Sequence, residues 1–179
     1  EIENLTRYSG DLSANLSTGH IGYQLRVNPT IEYLREVRRI WNGRIIIKGV
    51  SSVEHVKQLK NEDIQGLWIS NHAGRQFDGH PPLVSRLPSI RNETKVPLIV
   101  DGGFDSGLNV LRGYALGADL VMSGSAWHYS LGALGDKGPE HLVCIIKRDL
   151  QANMKQIGLM SISESSSMLL PNKKSQWNL

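Results

Sequence analysis

The sequence predicts an α/β fold in which strands and helices alternate and the strands form a parallel sheet. Four short apolar runs, rich in β-branched residues, are each followed by a turn and then by apolar residues at helical spacing. The step between runs is about 22 to 30 residues, which suits a right-handed strand–helix–strand crossover. With 40% hydrophobic and 21% charged residues over 179 residues, the chain has the composition of a globular domain with a sizeable core.

The first 28 residues are the least regular part of the chain. Residues 8–19 are rich in Ser, Asn, Thr and Gly and lack an apolar period, so residues 1–28 are interpreted as a loop or mobile segment. Pro29 is suited to begin a helix that runs to about Trp41. Its apolar face would consist of Ile31, Leu34, Val37 and Ile40.

The first two strand–helix units follow. Residues 44–48 predict a buried strand, and residues 51–54, S-S-V-E, have the capping-box pattern that begins a helix. Residues 67–70 predict the second strand. A polar loop and a double proline then lead to a helix from about Leu83 to Asn92.

The last two units have the same organisation. Residues 97–101 predict the third strand, and a Gly-rich turn leads to a helix over residues 106–116 that ends on Gly117. Residues 120–123 predict the fourth strand, followed by a short helix and a long amphipathic one. The residues predicted to face inward from the long helix are Leu142, Val143, Ile146, Leu150, Met154 and Ile157.

The loop after the second strand contains a candidate catalytic pair. In an α/β barrel, residues just past the carboxyl end of a strand face the substrate. His72 is therefore a candidate general base or acid, and Arg75 a candidate clamp for a carboxylate or phosphate. Taken alone, a His and an Arg in a polar loop are more often structural than catalytic, so the surrounding sequence has to decide.

That surrounding sequence is similar to a known family. Residues 70–76, S-N-H-A-G-R-Q, resemble the active-site signature of the FMN-dependent α-hydroxy acid dehydrogenase/oxidase family, which includes glycolate oxidase, lactate oxidase and mandelate dehydrogenase. Residues 45–50, 100–103 and 115–119 resemble further blocks in that family's order and at about its spacing. The resemblance implies a (β/α)8 TIM-type barrel, with residues 29–160 as its C-terminal half and residues 161–179 as a tail.

Four units leave half a barrel with two bare sheet edges and an uncovered interior. We therefore predict a partner polypeptide carrying the N-terminal half of the barrel, with this chain either cut from it or separately encoded. A self-paired half-barrel dimer is the alternative, and in either case an oligomer is expected. The tail is interpreted as a flexible terminus or an arm that packs on a neighbouring subunit.

The resemblance also implies site roles. FMN would be the cofactor, with Lys48 at the pyrimidine edge of the flavin and Ser70 hydrogen-bonded to its ring. Arg75 would bind the carboxylate of a 2-hydroxy acid, and His72 would accept a proton as the acid is oxidised to the 2-oxo acid.

The cofactor's phosphate is expected at the ends of the third and fourth strands, on backbone N–H groups. The residues assigned to this part of the cofactor site are Asp101, Gly102, Gly103, Asp105, Gly124 and Ser125. The family usually has arginines where this chain has Asp105 and Ser125. The alternative to the enzyme is therefore a degenerate, non-catalytic barrel subunit that has lost FMN binding.

Composition argues against other classes of function. A net charge of +3 with scattered basic residues does not indicate nucleic-acid binding, and no apolar run is long enough to predict a membrane span. No metal site is predicted. The single cysteine, Cys144, is interpreted as a small buried residue, and an intracellular, cytoplasmic location is the default expectation. Trp68 is interpreted as core or helix-facing packing.

Overall fold

The computed structural model describes residues 30–75 and 79–169. The predicted loop over residues 1–28, and the part of the tail beyond Leu169, lie outside the described residues. The chain divides into a first unit, Glu1–Asn42, and a second unit, Gly43–Leu179.

The described part of the first unit contains helix α1, Ile31–Ile40. The hydroxyl of Thr30 accepts a hydrogen bond from the Tyr33 N–H at 3.2 Å and so caps the helix. The predicted helix is therefore present with Thr30 as its N-cap, and Pro29 lies outside the described residues. Ile40 is 85% exposed, so the predicted apolar face does not extend to the last residue of the helix.

The second unit alternates strands and helices as predicted. Its elements are β1 Ile46–Val50, α2 Val53–Gln58, β2 Gly66–Ser70, a 3-10 turn His72–Arg75, α3 Leu83–Glu93, β3 Leu98–Asp101, α4 Gly107–Ala115, β4 Leu120–Met122, α5 Ser125–Leu134, a 3-10 turn Gly135–Lys137, α6 Gly138–Gln156 and a 3-10 helix Ile162–Met168.

The four strands form one parallel sheet in the order β1-β2-β3-β4. The first strand lies two residues later than predicted. Its pairing with β2 shifts between Lys48 and Val50, and Gly49 between them has a φ of 95°, which glycine adopts with little strain. This irregularity lets the strand continue past Lys48 to the buried Val50.

One face of the sheet carries the core. Leu67, Ile69, Leu98 and Val100 are at most 1% exposed and lie on this face, since pairing residues of parallel strands point the same way. Helix α3 contacts β2, and α4 contacts β4. Burial of these side chains holds the helices on the sheet.

In the described part of the chain, the other face of the sheet is uncovered. Ile46 is 49% exposed, Leu120 46% and Met122 38%, and the strand register puts them on the face opposite the core. The prediction of a buried first strand is therefore wrong for Ile46 and for the half-exposed Lys48 side chain. The local pattern is that of a strand buried on both sides, but residues 30–75 and 79–169 supply no second layer on this face.

Hydrogen bonds fix the beginning of helix α4, and a glycine follows its end. The Ser106 hydroxyl accepts from the Asn109 N–H at 3.2 Å, and the Asp149 carboxylate on α6 accepts from the Leu108 N–H at 3.1 Å. Gly117, with a φ of 108°, follows the C-cap Leu116, as predicted for a C′ glycine.

Helix α6 packs closely on α4 and α5 and exposes its other side. Leu142, Ile146, Leu150 and Met154 are partly buried. Val143 and Ile157 are 46% and 45% exposed, and Cys144 is also exposed, so their predicted burial is wrong. Cys144 lies on the other side of the helix from the contacting residues, and Ile157 is the C-cap that follows α6.

The beginning of the predicted tail is ordered against the fold. Residues 162–168 form a 3-10 helix that packs on α4, and Ser165 is only 2% exposed. The interpretation of this part as a flexible terminus is therefore wrong.

Candidate active site

Polar side chains converge at the carboxyl ends of three neighbouring strands. Lys48 on β1 pairs with Trp68 on β2, and Ser70 on β2 pairs with Asp101 on β3. All four side chains therefore lie on the uncovered face of the sheet. We call Lys48, Trp68, Ser70 and Asp101 the polar cluster.

The carboxylate of Asp101 is the acceptor at the centre of this cluster. Its Oδ1 accepts from the Ser70 hydroxyl at 2.7 Å and from the Asn71 N–H at 3.1 Å. Its Oδ2 accepts from the Trp68 indole N–H at 2.8 Å and lies 3.4 Å from the Lys48 ammonium. Both oxygens are thus held by donors on adjacent strands.

The protonation of Asp101 follows from these contacts. Partial burial raises the pKa of its carboxyl, but the Ser70 hydrogen bond, the Lys48 charge and the Trp68 and Asn71 hydrogen bonds together outweigh burial. The net result is a pKa below the usual range for aspartate. Asp101 is therefore an anion at neutral pH.

Ser70 connects the cluster to the His72 loop. Its hydroxyl donates to Asp101 and accepts from the Lys48 ammonium at 2.9 Å and from the His72 backbone N–H at 3.2 Å. The residue is only 4% exposed. The start of the loop is therefore fixed by the same hydroxyl that orients the lysine.

Lys48 has an anionic partner among the described residues. That partner within the chain is Asp101, and the ammonium also lies 4.8 Å from the centre of the Trp68 ring. The lysine side chain is 46% exposed, which leaves the ammonium accessible from the open face of the sheet.

Trp68 is the site residue that the sequence interpretation missed. It was expected to be core or helix-facing packing, but its indole N–H bonds to Asp101 on the uncovered face. The alternation along β2 could have shown this, because Trp68 is in phase with Ser70, whereas the buried Leu67 and Ile69 are in the opposite phase.

The structure describes the environment of His72 but not the side chain of Arg75, the other residue of the predicted catalytic pair. His72 begins a 3-10 turn directly after β2 and is exposed next to the polar cluster. The Gly74 N–H bonds to the Asn71 carbonyl at 3.1 Å and so stabilises the turn. Arg75 ends the turn, and its side chain lies outside the described part of the structure.

The Gly-rich turn after β3 depends on glycine at one position above all. Gly102 has a φ of 101°, and a Cβ built there would lie 2.5 Å from the Asn71 Cβ. Gly103 has a φ of 82° with open space around it. Asp105 is exposed and accepts a hydrogen bond from the Asn109 amide at 3.1 Å.

The turn after β4 exposes the beginning of α5. Gly124 is the N-cap, a Cβ built on it would meet nothing within 4 Å, and no side chain of the described residues caps this helix. The first N–H groups and the positive end of the helix dipole therefore remain available at Gly124 and Ser125, an arrangement that favours an anion.

These two regions fit the parts of FMN. The Lys48, Ser70 and Asp101 side chains offer an ammonium and fixed polar groups to a heteroaromatic ring edge, and the uncapped α5 end offers N–H donors to a phosphate. The exposed Asp105 carboxylate beside the Gly-rich turn opposes a dianion.

The described residues contain neither a cluster suited to a metal ion nor a helix suited to cross a membrane. No group of three or more His, Cys, Asp or Glu side chains there could hold a metal ion. Within residues 30–75 and 79–169, none of the helices combines the length and apolar character needed to cross a membrane.

The fold and the site together define a parallel α/β unit with a polar site at the carboxyl ends of its strands. A family profile described as FMN-dependent dehydrogenase matches residues 3–172. The chain belongs to this family. Its four parallel strands and alternating helices correspond to part of the family's TIM barrel.

Relatives of known identity match nearly the whole chain. The L-lactate dehydrogenase of Alcaligenes faecalis is 33% identical over 175 residues, which cover 95% of this chain and 46% of that protein. The L-lactate dehydrogenase of Vibrio cholerae serotype O1 (strain M66-2) is 34% identical over 171 residues, covering 93% and 45%. The chain thus spans less than half the length of these relatives.

Solved structures agree with this assignment. The crystal structure of the monotopic membrane protein (S)-mandelate dehydrogenase matches with a TM-score of 0.78 and 30% identity, over 87% of this chain and 42% of that one. The structure of mandelate oxidase with benzoyl-formic acid matches with a TM-score of 0.71 and 30% identity, over 76% and 41%.

Proposed function

We propose that this chain supplies the cofactor-binding and substrate-binding half of an FMN-dependent enzyme that oxidises a small 2-hydroxy acid to the 2-oxo acid. The observation that supports this most directly is the Ser70 hydroxyl, which joins Lys48, Asp101 and the His72 N–H in one hydrogen-bonded group. In a member of this family, that group is suited to hold a flavin ring beside a base.

The cofactor would lie across the carboxyl ends of the strands. Lys48 and Ser70 would contact the ring, and the Asp101 carboxylate would keep them in place. The N–H groups of Gly103, Gly124 and Ser125 would hold the phosphate, since open space surrounds Gly103 and Gly124. When bound, FMN supplies the acceptor for the two electrons that leave the substrate.

The substrate would be positioned by the loop after β2. Arg75 would bind its carboxylate, because a guanidinium matches that group with two parallel hydrogen bonds. His72 would accept one of the two protons that leave the substrate as the 2-hydroxy group becomes a carbonyl, and FMN, when bound, would take up the other with the two electrons. Lactate, glycolate and mandelate are the substrates to test first, since relatives of this chain include L-lactate dehydrogenases and mandelate oxidases.

A second polypeptide segment would complete the site. Among the described residues, strands β1 and β4 each pair on one side only, and the sheet face that carries the polar cluster also carries the exposed Ile46, Leu120 and Met122. Four further strand–helix units would pair with both edges and cover this face. We therefore propose that the enzyme is active only together with the N-terminal half of the barrel.

A non-catalytic barrel subunit is the second candidate, and Asp105 and Ser125 favour it. Asp105 is exposed beside the Gly-rich turn, so its charge would oppose a phosphate there. Such a subunit would keep the fold and the polar cluster without holding FMN.

An absorbance spectrum with intact mass analysis tests the proposal. Visible flavin bands together with a second polypeptide are expected, and the bands should bleach when a 2-hydroxy acid is added. A colourless, folded preparation that takes up no added FMN, even with the other barrel half present, would instead support the non-catalytic subunit.

Variants of two lysines locate the cofactor. Lys48→Met should weaken FMN binding, because it removes the ammonium from the polar cluster. Lys147→Met is the matched control, since Lys147 is exposed on α6. Equal FMN affinity in both variants would contradict the proposed position of the ring.

A further inference from the structure

Trp68 lies between the positive and the negative group of the polar cluster. Its indole N–H donates to the Asp101 Oδ2 at 2.8 Å, and the centre of its ring lies 4.8 Å from the Lys48 ammonium. Phenylalanine or leucine would fill the same space in a sheet, but neither could donate to a carboxylate. The indole N–H therefore has a use beyond packing.

The contacts of Lys48 show what this use is. An ammonium has three donors, and among the residues that the structure describes the hydrogen bond from Lys48 goes to the Ser70 hydroxyl at 2.9 Å. The Asp101 Oδ2 lies at 3.4 Å, which is an ion pair but longer than the usual charged hydrogen bond of about 2.7–2.9 Å. The indole holds that oxygen instead.

We propose that Trp68 is a positioning residue that occupies the Asp101 Oδ2 and thereby keeps the Lys48 ammonium available for an acceptor outside the cluster. The carboxylate still attracts the lysine, so the charge stays at the strand ends. With the indole N–H on Oδ2 at 2.8 Å, the Lys48 ammonium stays 3.4 Å from that oxygen and does not form a direct hydrogen bond with it. The two ammonium donors that Ser70 does not use are then available to other acceptors.

This inference deepens the proposed function, and its consequence for FMN rests on that function. The contact between the indole and the carboxylate does not depend on any cofactor. It is therefore tested first on the 179-residue chain without added FMN.

The first experiment follows the indole N–H resonances of the ¹⁵N-labelled chain during acid titration. Trp68→Phe assigns the Trp68 resonance, which should move as Asp101 becomes protonated. In Asp101→Asn this pH dependence should disappear. Trp41→Phe is the matched control, since it removes a different indole N–H resonance and should leave the titration of the Trp68 resonance unchanged.

Either of two results would contradict the contact between the Trp68 indole and Asp101. The Trp68 resonance could stay constant while the folded chain is titrated, or it could shift with pH to the same extent in Asp101→Asn. If Trp68→Phe does not fold, the resonance is assigned by elimination with the variants Trp41→Phe, Trp127→Phe and Trp177→Phe.

The second experiment measures FMN affinity in the chain with its barrel partner. Trp68→Phe should weaken FMN binding about tenfold, the scale of coupling between neighbouring residues. In a Lys48→Met background the same change should have little further effect, because no ammonium is left to position. An equal loss in both backgrounds would assign Trp68 a packing role only.

The two experiments separate the possible failures. If the Trp68 resonance titrates but the chain never binds FMN, the contact is supported and the proposed function is rejected. A flavin-binding chain without the titration would retain the function and reject the positioning role.

Discussion

At the scale of single residues, the site depends on the carboxylate of Asp101. It receives hydrogen bonds from Ser70, Asn71 and Trp68 and lies beside the charge of Lys48. A carboxylate held in this way stabilises the fold only while it is ionised. The pH dependence of stability is therefore a direct test of the cluster.

Asp101→Asn should destabilise the chain at neutral pH by about 1–3 kcal/mol, because the charged acceptor is lost while its donors remain. The pKa of Asp101 is lowered by folding, so its contribution is present above the unfolded value of about 3.9 and is lost as pH falls through the lower folded value. Urea unfolding at a series of pH values between about 7 and 3 measures both effects.

The control for this prediction is Asp136→Asn, since Asp136 is exposed in a 3-10 turn. The wild-type chain should lose stability in acid more steeply than Asp101→Asn, whereas Asp136→Asn should follow the wild type. Parallel curves for the wild type and Asp101→Asn would contradict the lowered pKa.

Gly102 and Gly103 form a matched pair for a steric test at the residue scale. Both have positive φ, so an alanine is strained at either position, but only at Gly102 would the Cβ meet Asn71, at 2.5 Å. Gly102→Ala should therefore be less stable than Gly103→Ala by about 1–3 kcal/mol. Equal denaturation midpoints would show that Asn71 moves aside without cost.

At the scale of elements, local signals set the helix ends and close backbone contacts set their packing. Ser106 and Gly117 bound α4 as their residue types predict, because a cap hydroxyl and a left-handed glycine act within one turn. The approach of α6 to α4 depends on residues far apart in sequence. Gly107 allows it, since a Cβ there would lie 2.0 Å from the Leu150 N.

Gly107→Ala should therefore force α4 and α6 apart and cost about 1–3 kcal/mol or more. Gly132→Ala is the matched control within α5, where a Cβ meets nothing within 4 Å. It should be neutral or stabilise the chain by up to about 1 kcal/mol, since alanine favours helix over glycine. Thermal unfolding of both variants checks the prediction, which fails if both are equally stable.

At the scale of the whole molecule, the open sheet is the main feature. The face that carries the polar cluster also exposes Ile46, Leu120 and Met122, whereas the opposite face is covered by helices. Apolar surface of this kind is favourable only when another layer covers it. The half-barrel and its site should therefore be completed by association.

Met122→Lys should weaken association with the other barrel half, because a lysine there would be buried without a partner. A cost on the order of 2 kcal/mol corresponds to roughly thirtyfold in the association constant. Met160→Lys is the control, since Met160 is 90% exposed. Sedimentation equilibrium measures both, and an equal effect of the two changes would place the partner elsewhere.

The sequence by itself determined the alternation of strands and helices, the caps of α4 and the family. These follow from apolar period, from turn and cap residues that act over a few positions, and from short motifs such as residues 70–76. These are local properties, so the order of residues along the chain is enough to specify them.

Only the tertiary structure decided which side chains meet and which surfaces are covered. The register of β1, β2 and β3 brings Trp68 into contact with Lys48 and Asp101, which are 20 and 33 residues away along the chain. The exposure of Cys144 and Lys48 depends on the layers that pack on α6 and on the sheet. Contacts between distant segments depend on pairing and packing, which no local pattern specifies.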